Sequence, residues 1–493
     1  GPYDVTVGPT IPPWKTRANS IPLRGVTVKG KGDRVRYALE QTPMLIRYLE
    51  DYFAAPYAYP KLDLLTPPNF SAGGMENAGA ITYTERGILL DDTASMQQKR
   101  YFTLIHAHEV SHQWFGDLVT AKWWNDIWLN EAFATWMAGK ASAAIWPQGE
   151  FDRETIRDSL TVMDTDSLST ARAVRQPIAS NDDIANAFDR LTYDKGGAIL
   201  SMFESYLGPD AFREGIRTHM HRFAYANADV GDFMGSLAQG SGKPDVVPAF
   251  ESFLNQPGVP LIRTQSSCHD RDLDVQVSQT PFGARDVGDK RLWSVPGGLR
   301  CLSMAIRASF VKVTAPTATV TFKNQCGAVL FPNAGGAGYY RFSMPRNEWQ
   351  SVAASTAKMT PAEQIATLHS LRAAFRNGDT DAATFLKTLQ TIGANGTWDT
   401  IEVVTEFLQE LRGNMFARSD LPVLTQKTRA WAAPLMAKLG LEPKKRETPS
   451  TALTRAALAE LLTRAARDPA TLSALAAKGA AKFRQVSTSG PNA

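Results

Sequence analysis

The apolar residues Val35, Leu39, Leu45, Leu49 and Phe53 recur mostly at the three- to four-residue spacing that turns side chains onto one face, so a helix is predicted over Arg34 to Phe53. The proline-rich stretch Pro56 to Pro68 ends it. Upstream, residues 1 to about 24 are rich in Pro and Thr and predict irregular chain or the end of a β structure, and a strand is predicted over Ile21 to Val28. From about residue 95 to residue 260 the pattern is mainly helical, and Asn255-Gln256-Pro257-Gly258 closes it as a turn and a domain boundary. The period then changes to two: Ala318, Val320 and Phe322 alternate with Thr317, Thr319 and Thr321, so residues 263 to 345 predict a small β-sandwich. Helical spacing returns at Thr360, the N-cap, with Pro361 in the first turn and Glu363 completing a capping box. Ile365, Leu368, Leu371 and Phe375 form the apolar face, and Asn377-Gly378 is the stop. Amphipathic helices continue through the Ala-rich segment Thr454 to Phe483, and Ser487 to Ala493 is a tail without core-forming residues.

A chain of 493 residues exceeds what one core usually holds, so two to four domains are expected. With 43% apolar and 21% charged residues it has the composition of a soluble globular protein. No stretch approaches the roughly 20 apolar residues of a membrane span. The formal charge is only +4 and the basic residues are dispersed, which argues against a nucleic-acid partner. The three cysteines, Cys268, Cys301 and Cys326, form no CxxC pair; they offer no thiolate metal site and leave room for one disulfide. The opening Gly1-Pro2-Tyr3 carries no features of a leader, which leaves a cytoplasmic or an exported protein equally open.

Candidate chemistry appears at His108-Glu109-Val110-Ser111-His112. On a helix, a four-residue separation puts two imidazoles one turn apart on one face, where they can share a Zn²⁺ ion. A catalytic zinc needs a third protein ligand and an open position. Glu131, with eighteen residues between it and His112, lies in a second apolar helical run and is the candidate. Glu109 then faces the open position without ligating and is the candidate general base. Trp114, Trp123, Trp124 and Trp128 surround the motif. His106, two residues before His108, falls on another face of the helix and reads as a hydrogen-bonded core group rather than a fourth ligand. These residues predict metal-assisted hydrolysis of a carbonyl compound and do not distinguish cutting inside a chain from cutting at its end.

Gly73-Gly74-Met75-Glu76-Asn77 resembles the GxMEN motif of the aminopeptidase N family of zinc metallopeptidases, and it stands upstream of the HExxH as in that family. Further similar segments are His112 to Asp117, Trp123 to Asp126 with Trp128 to Glu131, Leu191 to Gly197, and Gly338 to Arg341. The resemblance implies one zinc per chain on His108, His112 and Glu131, with Glu109 as base. It also implies that Glu76 holds the free α-amine of a peptide, that Tyr193 donates to the oxyanion, and that Gly73, Gly74, Met75 and Asn77 line the substrate. The implied fold is multidomain α+β: residues 1–24 the end of a truncated N-terminal β domain, 25–262 a thermolysin-like catalytic domain, 263–345 a β-sandwich, and 346–493 an incomplete α-helical domain. The implied partners are peptides with a free amino terminus. Two other classes stay open at this stage, a noncatalytic binding protein and an epoxide hydrolase on the same fold. The second is disfavoured by Ala185, which stands where the resembling epoxide-opening relative has an acid.

Overall fold

Tyr3–Val7, Leu23–Val28, Leu62–Thr66, Ala80–Tyr83 and Gly74–Met75 lie side by side, in that order, in a five-stranded sheet. This is the arrangement in the computed structural model, which describes residues 2–283, 289–302 and 309–488. The three inner strands run parallel, and the two outer ones pair antiparallel to their neighbours. A parallel pair needs a crossover, and the helix Arg36–Phe53 supplies it between Leu23–Val28 and Leu62–Thr66. Its predicted face is the observed one, with Leu39, Leu45, Leu49 and Phe53 all buried. Tyr3–Val7 is therefore a strand of this sheet rather than irregular chain. At the opposite edge Gly74–Met75 pairs on one side only, with Gly74 opposite Tyr83 and Met75 opposite Thr82.

Two helices form the floor beyond that edge. Met96–Ser111 starts at a capping box in which the Ser95 hydroxyl accepts from the Gln98 amide and the Gln98 side chain accepts from Ser95 N–H. Ile127–Ile145 is buried along most of its length, including Trp128, Phe133 and Trp136. A third helix, Gly196–Leu207, can lie close against it because Gly196 has no side chain; a Cβ there would stand 2.5 Å from the Ala132 Cβ. The last helix of the series, Val246–Leu254, stops ahead of Asn255, and strands follow.

Four strands then make one sheet, in the order Thr317–Phe322, Asp272–Pro281, Pro260–His269, Arg341–Ser343, and three make another around Val295–Cys301. Along Thr317–Phe322 the threonines are exposed and Ala318, Val320 and Phe322 half-buried, as the alternation predicts. Cys268 and Cys326 are disulfide-bonded, and Cys301 is buried and free. The chain divides into two compact units, the first through Ser343 and the second from Met344 onward. The second unit is helical, from Arg346–Ala354 to Pro469–Thr488. Its capping box forms as predicted: Glu363 N–H donates to the Thr360 hydroxyl at 3.2 Å and Thr360 N–H to the Glu363 carboxylate at 2.9 Å. The final residues of the predicted tail, 489–493, lie outside the described residues.

One buried ionic cluster joins distant parts of the first unit. Asp166, ending the helix Glu154–Asp166, meets the Lys195 ammonium at 2.8 Å, both side chains fully buried. The same carboxylate accepts from Gly258 N–H and from the Tyr339 hydroxyl, each at 2.9 Å. Lys195 also donates to the carbonyl of Gln256 at 3.3 Å. Asp166→Ala strands the ammonium in the interior and is expected to lower stability by about 3–5 kcal/mol. The paired change Asp166→Leu with Lys195→Met, which removes both charges, should recover most of that loss. Urea midpoints check it: a single variant as stable as the parent would mean that the pair carries no structural weight.

Candidate active site

His108 and Glu109 sit in the last turn of Met96–Ser111, and His112 caps it, with its N–H on the His108 carbonyl. Glu131 enters from the first turns of Ile127–Ile145. The two Nε2 atoms are 3.1 Å apart, and the Glu131 Oε2 lies 3.4 Å from that of His108 and 3.5 Å from that of His112. Ligand atoms around a tetrahedral centre with bonds of ~2.0–2.1 Å stand ~3.3 Å apart, so the three donors fit one small divalent cation. Among the described residues these three form the one group of such side chains able to hold a metal ion. The far sides of the rings are held as well. His112 Nδ1 bonds the Phe115 carbonyl at 3.0 Å and His108 Nδ1 lies 3.4 Å from the Thr135 hydroxyl, which leaves each Nε2 free to ligate.

Glu109 is buried beneath the Gly74–Met75 edge, where a Cβ on Gly74 would stand 2.2 Å from its carboxylate. One of its oxygens has no hydrogen-bond partner among the described residues. Burial, and then the nearby Glu76, Glu131 and Asp117, push its carboxyl up to about 8, against the pull of His112. Burial alone would raise Glu131 too, but the two imidazoles hold it well below the ordinary carboxylate range. His112 is the reverse case: burial opposes its charge, and Glu131, Glu76 and Glu109 together raise it.

Glu76 follows the edge strand, with its carboxylate 4.0 Å from His112 Nδ1. Gln113, which lies in the segment His112 to Asp117 and has no role assigned from sequence, fixes it there. The Gln113 side chain donates to the Glu76 carbonyl at 2.7 Å and to Asp117 at 2.8 Å, and accepts from Gly79 N–H at 2.8 Å. Asp117, also unassigned by sequence, is pushed up to about 7 by burial and by Glu76. Its only signal in the sequence was membership of the segment His112 to Asp117. Met75 is exposed, and Asn77 spends its side-chain amide on its own hairpin, 3.3 Å from the Thr82 hydroxyl.

Tyr193 reaches the cleft from a π-helical turn, Leu191–Lys195. Its ring stacks on His108 with centroids 6.0 Å apart. Burial first, then the Glu131 carboxylate within hydrogen-bonding reach, raise its phenol and keep it protonated. Two residues later the same turn ends in Lys195, so the Asp166 cluster anchors the segment that presents Tyr193. His106 faces away from the cleft, between the Thr42 hydroxyl at 3.0 Å and the Tyr83 hydroxyl at 2.9 Å, and burial lowers it to about 3.

The chain matches the Peptidase family M1 domain over residues 37–253 and the ERAP1-like C-terminal domain over residues 329–490. It is 37% identical over 283 residues to a protein named probable aminopeptidase 2 from Sulfurisphaera tokodaii, a match covering 57% of this chain and 36% of that protein. It is 33% identical over 318 residues to the leucyl aminopeptidase of Saccharolobus solfataricus, covering 64% of this chain and 39% of the relative. With aminopeptidase M1 of Arabidopsis thaliana the identity is 32% over 296 residues, or 60% of this chain and 33% of the other. The matched part thus spans little more than a third of these curated relatives. Both domain matches, with the motif residues gathered in one cleft, show what the chain carries: a Peptidase family M1 domain over residues 37–253, that of the aminopeptidase N family of metallopeptidases, and an ERAP1-like C-terminal domain over residues 329–490.

Proposed function

We propose that this chain is the catalytic part of a zinc aminopeptidase that removes the first residue of peptides with a free amino terminus. One observation carries the reading. The Nε2 atoms of His108 and His112 and a Glu131 oxygen converge on one point, with Glu109, Glu76 and Tyr193 arrayed around it. Two neutral imidazoles and one carboxylate form the donor set of catalytic zinc, with a fourth position open. When bound there, zinc polarises the scissile carbonyl and makes hydroxide available near neutral pH.

The remaining steps belong to the protein. Glu76 pairs with the α-ammonium and so sets the distance from the chain terminus to the reacting carbon; a blocked terminus would leave that carboxylate unpaired. The backbone of Gly73 and Gly74, at a strand edge open on one side, accommodates an extended peptide. Glu109 accepts a proton from the attacking water and returns it to the departing amine. The Tyr193 hydroxyl donates to the oxygen that becomes negative as the tetrahedral carbon forms, which stabilises chiefly the transition state.

Loss of a ligand should show in metal content as well as rate. His112→Ala and Glu131→Ala are expected to lower zinc per chain by elemental analysis, and full retention in both would reject the ligand set. Glu109→Gln should keep the metal and lower kcat by about 10²- to 10⁴-fold, the range for removing a general base, and Tyr193→Phe should lose a similar factor with its oxyanion donor. Near-parental kcat in either metal-loaded variant would overturn that residue's role. For Glu76, the comparison is kcat/KM on a matched pair of peptides, one free and one N-acetylated. The parent should cleave the free peptide and ignore the acetylated one, and Glu76→Gln should erode that preference mainly through KM. Equal cleavage of both peptides by the parent would end the exopeptidase reading.

A further inference from the structure

A cavity of about 540 Å³ opens beside the metal ligands. His108, Glu109 and Tyr193 belong to its wall, and neither His112 nor Glu76 does. Glu76, the proposed amine anchor, stands instead on the His112 side. A peptide with its terminus at Glu76 and its scissile carbonyl at Glu109 and Tyr193 therefore sends into this cavity what lies beyond the bond being cut. Thr135, Ala138 and Gly139, small residues of one helix, leave the space open.

The wall of the cavity is acidic, and its charges are unevenly matched. Glu154 is paired with Arg100 at 2.6 Å, Asp194 with Arg190 at 2.7 Å, and Asp189 with Arg172 at 2.6 Å. Asp158 lines the same cavity with no hydrogen-bond or ion-pair partner among the described residues; Arg157 and Arg190 act on it only at longer range. It stands four residues after Glu154 on the helix Glu154–Asp166, a like-charge spacing that weakens a helix. Burial, with Asp194 and Glu154 adding to it, pushes the Asp158 carboxyl up to about 7, which marks a carboxylate short of positive charge.

We propose that Asp158 is a specificity residue that binds a cationic side chain, so that the enzyme prefers peptides with Lys or Arg as the second residue, immediately after the bond it cuts. This rests on the aminopeptidase reading for the direction of the chain. A Lys or Arg side chain entering the cavity brings its charge to the Asp158 carboxylate and covers the small residues of the wall with its methylene stem.

The test is a matched series of free-amine peptides, identical except for Lys, Arg, norleucine or Glu at the second position, with kcat/KM measured in the parent and in Asp158→Asn. The parent should favour Lys and Arg over norleucine by about tenfold or more, the scale of one charge-assisted hydrogen bond, with Glu poorest. In Asp158→Asn the Lys-to-norleucine ratio should fall close to one. An active parent without the preference, a variant that keeps it, or a variant in which the preference for the first residue is what changes would each overturn the proposal. Calorimetric titration of metal-loaded Glu109→Gln with the Lys and norleucine peptides reads the same contrast without turnover. Tighter binding of the Lys peptide that is lost on adding Asp158→Asn supports the proposal; equal affinities, or no binding of either, overturn it. Because this arm needs no hydrolysis, failure of the aminopeptidase reading, seen as no cleavage of any free-amine peptide, is told apart from failure of the Asp158 assignment.

Discussion

Buried negative charge is the constraint around which the cleft is organised. Glu76, Glu109, Asp117 and Glu131 crowd into one water-poor space, and the groups nearest them that can carry positive charge are the two histidines. Such an arrangement is costly unless cations enter it, and left to itself it draws protons onto Glu109, Asp117 and His112. A divalent ion at the convergence point and an ammonium at Glu76 are the cations whose positions match. On the proposed function they would release Glu109 to the state in which it can accept a proton. Binding and catalysis are on this view one electrostatic problem, and a substrate with a free amine supplies part of the solution.

Holding those charges in place falls to neighbouring side chains. Gln113 uses both ends of its amide to tie the Glu76 segment to the end of the metal-binding helix. The Asp166 cluster does the equivalent for Tyr193, because Lys195 terminates the turn on which the tyrosine rides. A buried ion pair adds little net stability against apolar residues of the same shape, but it tolerates only one geometry. A π-helical turn is a rare backbone form, frequent at functional sites, and a fixed charge two residues away holds it in place.

What could be read from the chain follows from the range of the interactions involved. The grouping of His108 with His112 was legible because helical period converts a spacing of four into a shared face. The Thr360 capping box was legible because all its partners lie within one turn. The alternation at Thr317–Phe322 was legible because it depends only on the strand's own pleat. The pairing of Tyr3–Val7 with Leu23–Val28 was not, since register between strands is a property of two segments and of the connection between them. Nor could three cysteines say which two would bond. Asp166, Lys195, Gly258 and Tyr339 lie far apart along the chain, and no local pattern announces that they meet. Glu76 and Tyr193 are named through resemblance, and the residue that fixes Glu76, Gln113, lies in a separate segment, His112 to Asp117, with nothing local to mark its role.

The net charge of +4 gives a misleading picture of this surface. Basic residues outnumber acidic ones overall, yet the cleft gathers acids on both sides of the metal-binding point, Glu76 and Asp117 on one and Asp158 on the other. Field inside a narrow cleft is set by the charges that line it, and distant surface lysines are screened by solvent over about 8–10 Å. What decides the character of each side is therefore the local matching of carboxylates with arginines. Where Glu154, Asp189 and Asp194 have their own partners the wall is electrically finished. Where Glu76 and Asp158 have no arginine partner among the described residues it would be open to a cation from outside, and on the two proposals an extended peptide would present one at each place: its terminal ammonium, and a basic side chain just past the bond.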